Sequence, residues 1–171
     1  MDYKSIHDLP REKLLELCTN FAKNWLAMDG LWFQAVERDS GMDKAMEYDY
    51  TVWEQFTQIE ARRIKKLLDL PDRAGLEGLA QALAFRLYAP LNEDSIVMEG
   101  NTLTYRVHNC RVQSARFRKG MPFHPCKQVG VVEYDGFAKV IDDRITAEAV
   151  SCYPDITIPD CACVWKFTLH L

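Results

Sequence analysis

Long hydrophobic runs are absent from this sequence, and no stretch reaches the ~18 apolar residues of a membrane-spanning helix. The N-terminal segment, MDYKSIHDLPREK, lacks the apolar core of a secretory signal peptide. Internal repeats and low-complexity segments are also missing. These absences predict a cytoplasmic protein, where a reducing environment would keep its six cysteines as thiols rather than disulfides.

A surplus of positive charge is absent as well. The chain has 21 Lys and Arg residues against 25 Asp and Glu, which gives a net charge of −4 and a pI near 5.6. That balance argues against a general nucleic-acid or anionic-membrane binder, so neither partner is expected. With 171 residues, 48% of them hydrophobic, the chain is long enough to bury its own core. We predict a single domain over residues 1–171, with a helical half over 1–90 and an α+β half over 91–171 that carries the cysteine cluster.

Helical periodicity dominates the first half of the chain. Apolar residues at three- and four-residue spacing predict one helix that ends at Gly30 and further helices over 31–39, 42–69 and 75–88. If these helices cover one face of a sheet, three aromatic residues on their apolar stripes should be largely buried: Trp25, Trp53 and Phe56.

The second half of the chain shows β-type alternation. Segments 96–99 and 102–110 flank Gly100 and Asn101, a pair suited to a two-residue hairpin turn. A short helix or turn over 112–119 follows, then a helix over 125–141 and strands over 145–153 and 161–169. The predicted fold class is therefore α+β, with about four N-terminal helices packed on a β-β-α-β-β unit that has an antiparallel sheet.

The cysteines include no CxxC pair, so they form no linear zinc motif. Cys18 lies on an apolar helix stripe and is interpreted as a small core residue. The predicted topology, however, brings the other five to one end of the sheet. Three interpretations stay open: reduced structural thiols, a reactive thiol, or a zinc site. The zinc ligands would be Cys110, Cys126, Cys152 and Cys163, with Cys161 and His108 as alternates.

Cys126 is the best nucleophile in the reactive-thiol interpretation. It falls in the first turn of a predicted helix, where free N–H groups and the positive end of the dipole lower the pKa of a thiol. His124 is the nearest partner base in the sequence. These two residues are the predicted catalytic pair.

Acidic residues are missing from the whole window between Gly100 and Val132, which carries six Lys and Arg residues. The window predicts a site for a small anion, bound through Arg111, Gln113 and Lys127 near the start of the helix. The alternative is a solvated basic face, in which Arg111 would pair with an acidic residue of the helices.

Polar residues also interrupt the apolar faces of the helical half. Asp29 is interpreted as a helix N-cap, and Glu60 with Arg63 as an intrahelical ion pair. Asp49 is the other interruption, and no role is predicted for it.

Several segments resemble a prokaryotic family of uncharacterised "cytosolic proteins": 24–26, 29–33, 60–64, 110–113, 123–127 and 163–167. That family is similar to the L-2-amino-thiazoline-4-carboxylate hydrolases, which open a small sulfur heterocycle. Its β-α-β portion is similar to four-vinyl-reductase-type small-molecule-binding domains. The resemblance implies a small-molecule-handling protein and supplies no catalytic residues.

Together these observations predict a cytosolic hydrolase of a small anionic, sulfur-containing compound, with a zinc or thiol site. The alternative is a non-catalytic small-molecule or metal-sensing module with a structural zinc. The exposed remainder of the helical half could support a homodimer.

Overall fold

The computed structural model describes residues 3–171, and the fold is α+β with an antiparallel sheet, as the sequence predicts. The helices are α1 (Arg11–Ser40), α2 (Met42–Leu67), α3 (Gly75–Leu83), α4 (Arg111–Arg118) and α5 (Lys127–Ile141). The strands are β1 (Glu93–Glu99), β2 (Thr102–Asn109), β3 (Ile145–Ser151) and β4 (Cys163–Leu169), in the sheet order β1-β2-β4-β3. None of the helices within these residues is long and apolar enough to cross a membrane.

Helix α1 is continuous through Gly30, so the predicted division into two helices is wrong. A glycine inside a helix costs only about 1 kcal/mol relative to alanine, and the good helix formers on either side outweigh that cost. The helix ends instead at Gly41, whose φ of 86° lies in the left-handed region that glycine adopts without strain.

The helices form layers on one face of the sheet. Helix α5 packs against the sheet, α2 packs along α5, and α1 packs along α2. Trp53 of α2 is accordingly buried, with 9% of its surface exposed, and Phe56 is half-buried. Trp25 stacks on Phe56 but is 44% exposed. The prediction that Trp25 is largely buried is therefore wrong, because α1 lies outermost among residues 3–171.

A close approach between α5 and the sheet fixes the position of the helix start. A Cβ atom added at Gly130 would lie 2.6 Å from Cζ2 of Trp165, so a larger residue would push the two elements apart. Trp165 is 1% exposed and belongs to the main core together with Phe137 and Ile141 of α5. The first turn of α5 is thereby held over the beginning of β4.

Candidate functional site

A cavity of about 510 Å³ lies between the helical layers and the end of the sheet where β2 finishes and β4 begins. Residues of α1, α2, α4, α5 and β4 contribute to its walls, which are mainly apolar and include Phe33, Trp53, Val129 and Trp165. Cavities of this size hold small organic molecules. Titratable residues on the wall include Asp29, Asp49, Tyr88, Cys110, His124, Cys126, Glu133, Cys152 and Cys163.

Four of the predicted cysteines line this cavity, because their elements begin or end at its edge. Cys110 precedes α4, Cys126 precedes α5, Cys152 follows β3, and Cys163 begins β4. The Sγ atoms of Cys126 and Cys152 are 3.5 Å apart. In residues 3–171, however, no three or more His, Cys, Asp or Glu side chains are arranged to hold a metal ion.

The alternate ligands Cys161 and His108 lie elsewhere. Both line a neighbouring cavity, and the Nδ1 atom of His108 is 3.7 Å from the Sγ atom of Cys161. The other ring nitrogen, Nε2, is 2.9 Å from the hydroxyl of Ser95. Strand β4 begins at Cys163, so Cys161 precedes the strand and does not share a strand face with Cys163.

His124 is held between an acid and an aromatic ring. Its Nε2 atom lies 3.5 Å from Oδ2 of Asp49 in α2, and its ring centroid lies 4.6 Å from that of Phe33 in α1. The Nδ1 atom of His124 is buried and has no hydrogen-bond partner among the described residues. Although burial opposes the charged form, interaction with Asp49 and with Cys126 raises the pKa of His124 to about 9. The imidazole is therefore protonated at neutral pH.

Neighbouring groups set the pKa of Cys126. A hydrogen bond from the Cys152 thiol lowers the pKa of Cys126 well below its ordinary value, and His124 and Gln113 lower it further, although burial acts the other way. The same interaction raises the pKa of Cys152. At Cys110, burial raises the pKa to about 11. The structure thus singles out Cys126 as the thiolate of the cavity.

Gln113 positions the loop that carries His124. Its Nε2 donates to the carbonyl of His124 at 2.7 Å, and its Oε1 accepts from the amide of His124 at 2.9 Å. The same Nε2 lies 3.6 Å from the Sγ atom of Cys126. Gln113, proposed from the sequence as a substrate ligand, is therefore occupied in holding His124 and contacting Cys126.

Acidic residues of the helical half supply the part of the site that the sequence did not predict. Asp29 lies inside α1 and faces the cavity, so it is not the N-cap that the sequence suggested. Burial, together with the nearby charge of Asp49, raises the pKa of Asp29 to about 6. In the sequence, Asp29 and Asp49 stand out because they interrupt apolar helix faces. That pattern does not reveal which residue they face.

A buried ionic network lies beside the cavity, which its members Tyr88 and Glu133 line. Arg86 is 2% exposed and donates to Oε2 of Glu60 at 3.1 and 3.0 Å. It also lies 2.7 Å from Oε1 of Glu133, which accepts a hydrogen bond from the hydroxyl of Tyr88. The predicted ion pair of Glu60 with Arg63 is wrong, because the tertiary structure brings Arg86 to Glu60 instead.

Basic residues line the mouth of the cavity: Lys23, Arg111, Arg118 and Lys119. Arg111 is exposed and has no ion-pair partner within residues 3–171, in contrast to the alternative that it pairs with a helical acid. Arg116 makes that contact instead, with two bonds of 2.8 and 2.7 Å to Glu37 of α1. Lys127 lies outside the cavity and pairs with Asp155 at 2.8 Å.

The sequence pattern of a family of unknown function, DUF6125, matches residues 7–169. The chain belongs to this family. The match spans every helix and strand of this chain from α1 to β4, and with them the acids of α1 and α2 and the cysteines of the cavity. No curated protein matches the chain in sequence.

Proposed function

We propose that this protein is a cytoplasmic, thiol-dependent hydrolase of a small anionic compound, with Cys126 as the nucleophile. The observation that carries the proposal is the meeting of Cys126, His124 and Asp49 on one cavity wall. A thiolate beside a protonated histidine that a carboxylate orients is the arrangement of nucleophilic cysteine enzymes. All six cysteines are free, which suits a reducing compartment.

The residues suggest the following reaction. The Cys126 thiolate attacks an electrophilic carbon of the substrate, and protonated His124 gives its proton to the departing nitrogen or sulfur. The neutral imidazole then takes a proton from water, whose oxygen attacks the same carbon. The C–S bond breaks, and the Cys126 thiolate is restored as the hydrolysed product leaves. Asp49 keeps the ring oriented throughout.

The start of α5 offers groups that could stabilise the negative charge formed during attack. The amides of Gln128 and Val129 make no backbone hydrogen bond within residues 3–171, because they lie in the first turn of the helix. Such free N–H groups favour an oxyanion beside Cys126.

An anionic substrate is favoured by the charge at the mouth of the cavity. Arg111 and Arg118 line the mouth and make no ion pair in the described part of the chain. The planar guanidinium of Arg111 can bind a carboxylate through two parallel hydrogen bonds. The sulfur heterocycle carboxylates, suggested by the resemblance described above, are one such class.

The test is a hydrolysis screen with carboxylate-bearing thioesters, amides and thiazolines, using wild type, Cys126→Ser and Cys18→Ser. We expect Cys126→Ser to lose activity by about 10³-fold or more, because serine is far less nucleophilic here. Cys18 is exposed on α1, so its interpretation as a core residue is wrong, and its substitution serves as the matched control. Wild-type activity that survives in Cys126→Ser would contradict the proposed nucleophile.

The second candidate is a non-catalytic small-molecule or metal-sensing module with a structural zinc. The four cysteines of the cavity wall favour it, but in the described residues they do not form a group that fits a metal. Elemental analysis of protein purified without chelators tests it. Stoichiometric zinc, with a lower melting temperature after chelation, would favour this candidate over the thiol enzyme. Protein free of zinc would leave the thiol enzyme.

We also propose that two copies of the chain associate through α1. Seven large apolar side chains of this helix are 38–68% exposed: Leu14, Leu15, Phe21, Trp25, Met28, Leu31 and Trp32. Their exposed surface is on the order of 700 Å², close to what each partner buries in a stable interface. Sedimentation at micromolar concentration should show a dimer that Phe21→Glu dissociates. A monomeric wild type would contradict the proposal.

A further inference from the structure

Two segments bring Cys126 and Cys152 together, and backbone contacts hold them there. The amide of Lys127 donates to the carbonyl of Tyr153 at 2.8 Å, so the residue after Cys126 is bonded to the residue after Cys152. The side chain of Lys127 pairs with Asp155 at 2.8 Å, and the amide of Cys152 donates to the carbonyl of Asp155. The 3.5 Å contact between the sulfurs is therefore built into the packing of α5 against the loop after β3.

From this geometry we infer that Cys126 and Cys152 are a site of reversible oxidation, at which a hydroperoxide converts the two thiols into a disulfide. The inference does not rest on the proposed hydrolase activity, because the disulfide can be detected without substrate. If the hydrolase proposal also holds, the same bond would switch the enzyme off by removing its nucleophile.

The chemistry requires one hydroperoxide for each disulfide. The Cys126 thiolate attacks the peroxide, so that an S–O bond forms, the O–O bond breaks, and water or an alcohol leaves with a proton. The sulfur of Cys152 then attacks the sulfenic acid of Cys126. The S–S bond forms, the S–O bond breaks, and the released hydroxide leaves as water with the thiol proton. The two thiols lose two electrons, which the peroxide gains, and a dithiol reductant returns them by exchange.

The cavity gives the oxidant access to this pair. Cys152 itself is only 2% exposed, but both cysteines line the cavity, which a hydroperoxide can enter. A sulfenic acid formed at Cys126 would have Cys152 in contact, so the disulfide should form before further oxidation.

The other cysteines are placed less well for this reaction. Cys163 also interacts with the Cys152 thiol. Its sulfur, however, accepts a hydrogen bond from the indole N–H of Trp165 at 3.3 Å, which fixes it against the core. Cys161 faces the neighbouring cavity, and Cys18 lies on the exposed surface of α1. The Cys110 thiol stays protonated at neutral pH, because burial raises its pKa to about 11.

The experiment treats the folded protein with one equivalent of hydrogen peroxide, followed by blocking of free thiols and peptide mapping. Trypsin releases Cys126 in the peptide 120–127, and additional cleavage before Asp155 and Asp160 separates Cys152 from Cys161 and Cys163. We expect peptide 120–127 to be joined to 145–154, with the loss of two hydrogens. Treatment with dithiothreitol should restore both thiols.

The variants identify the order of the steps. Cys152→Ala should abolish the linked peptides and leave a sulfenic acid on Cys126 that dimedone traps. Cys163→Ala is the matched control and should form the same disulfide as wild type. The inference is overturned if wild type links Cys126 to another cysteine, if Cys126 is oxidised without a disulfide, or if it does not react. Wild-type protein alone gives each of these outcomes, so the inference can be tested even if a variant fails to fold.

Discussion

The charge of His124 depends on Asp49, and removing that carboxylate should change the behaviour of both His124 and Cys126. In Asp49→Asn, the side chain keeps its size but loses the charge that lies 3.5 Å from Nε2 of His124. Opposite unit charges at this distance attract by about 4–5 kcal/mol at an effective dielectric constant of ~20. About half of that attraction should appear as a pKa change, because the amide still accepts a hydrogen bond and water relaxes around it.

The expected change is measurable by NMR. One pKa unit corresponds to ~1.4 kcal/mol, so the pKa of His124 should fall by roughly two units in the variant, from a wild-type value of about 9. Cys126 should respond less. The midpoint for its alkylation by iodoacetamide should rise by roughly one unit, since the hydrogen bond from Cys152, the largest influence on its pKa, is untouched.

Two controls make this prediction decisive. Asp43→Asn removes an exposed acid from the same helix and should alter neither titration. His124→Asn assigns the NMR signal, because three other histidines are present. If His124 titrates at the same pH in Asp49→Asn as in wild type, the two residues do not interact in solution, and the proposed catalytic arrangement fails.

Four further predictions concern stability. Glu60→Gln should lower the free energy of unfolding by about 3–5 kcal/mol, because it leaves a buried arginine partly unpaired. The control variant Glu54→Gln, on the exposed face of the same helix, should be nearly neutral. Urea unfolding measures both variants. Gly130→Ala should cost about 1–3 kcal/mol, because its Cβ would overlap the Trp165 ring. Gly30→Ala in α1 has room for a methyl group and should raise stability by about 0.5–1 kcal/mol in the same assay. Hydrogen bonds from an arginine depress the pKa of Asp142, so the unfolded state binds its proton more tightly. The stability that ionised Asp142 contributes is therefore complete above about pH 4 and is lost as pH falls. In Asp142→Asn, this loss should be missing from the pH dependence of the melting temperature.

The cysteine cluster could be predicted from the sequence because it follows from topology alone. Once the strands and the helix between them are recognised, the start of α5 and the end of β3 must meet at one end of the sheet. Cys126 and Cys152 then approach each other regardless of side-chain detail. The start of α5 is likewise a local property of the sequence. The position of Cys126 at this helix start is enough to indicate a reactive thiol without knowledge of its neighbours.

The partners of these residues depended on contacts between distant segments. Asp49 reaches His124 only because α2 packs along α5, and Arg86 reaches Glu60 only because the chain after α3 folds back beneath α2. Each of these polar residues has several possible neighbours in the sequence, and local spacing favours the wrong one, as Arg63 shows.

The sequence by itself determined the α+β class, the antiparallel sheet and the end of the sheet at which the cysteines meet, because hydrophobic periodicity and chain direction are local signals. The tertiary structure alone decided that Cys161 faces a different cavity and that Cys126 has a charged histidine beside it. These features depend on the free energy of packing and of burying charge between elements far apart in the chain. No local pattern of residues encodes that free energy.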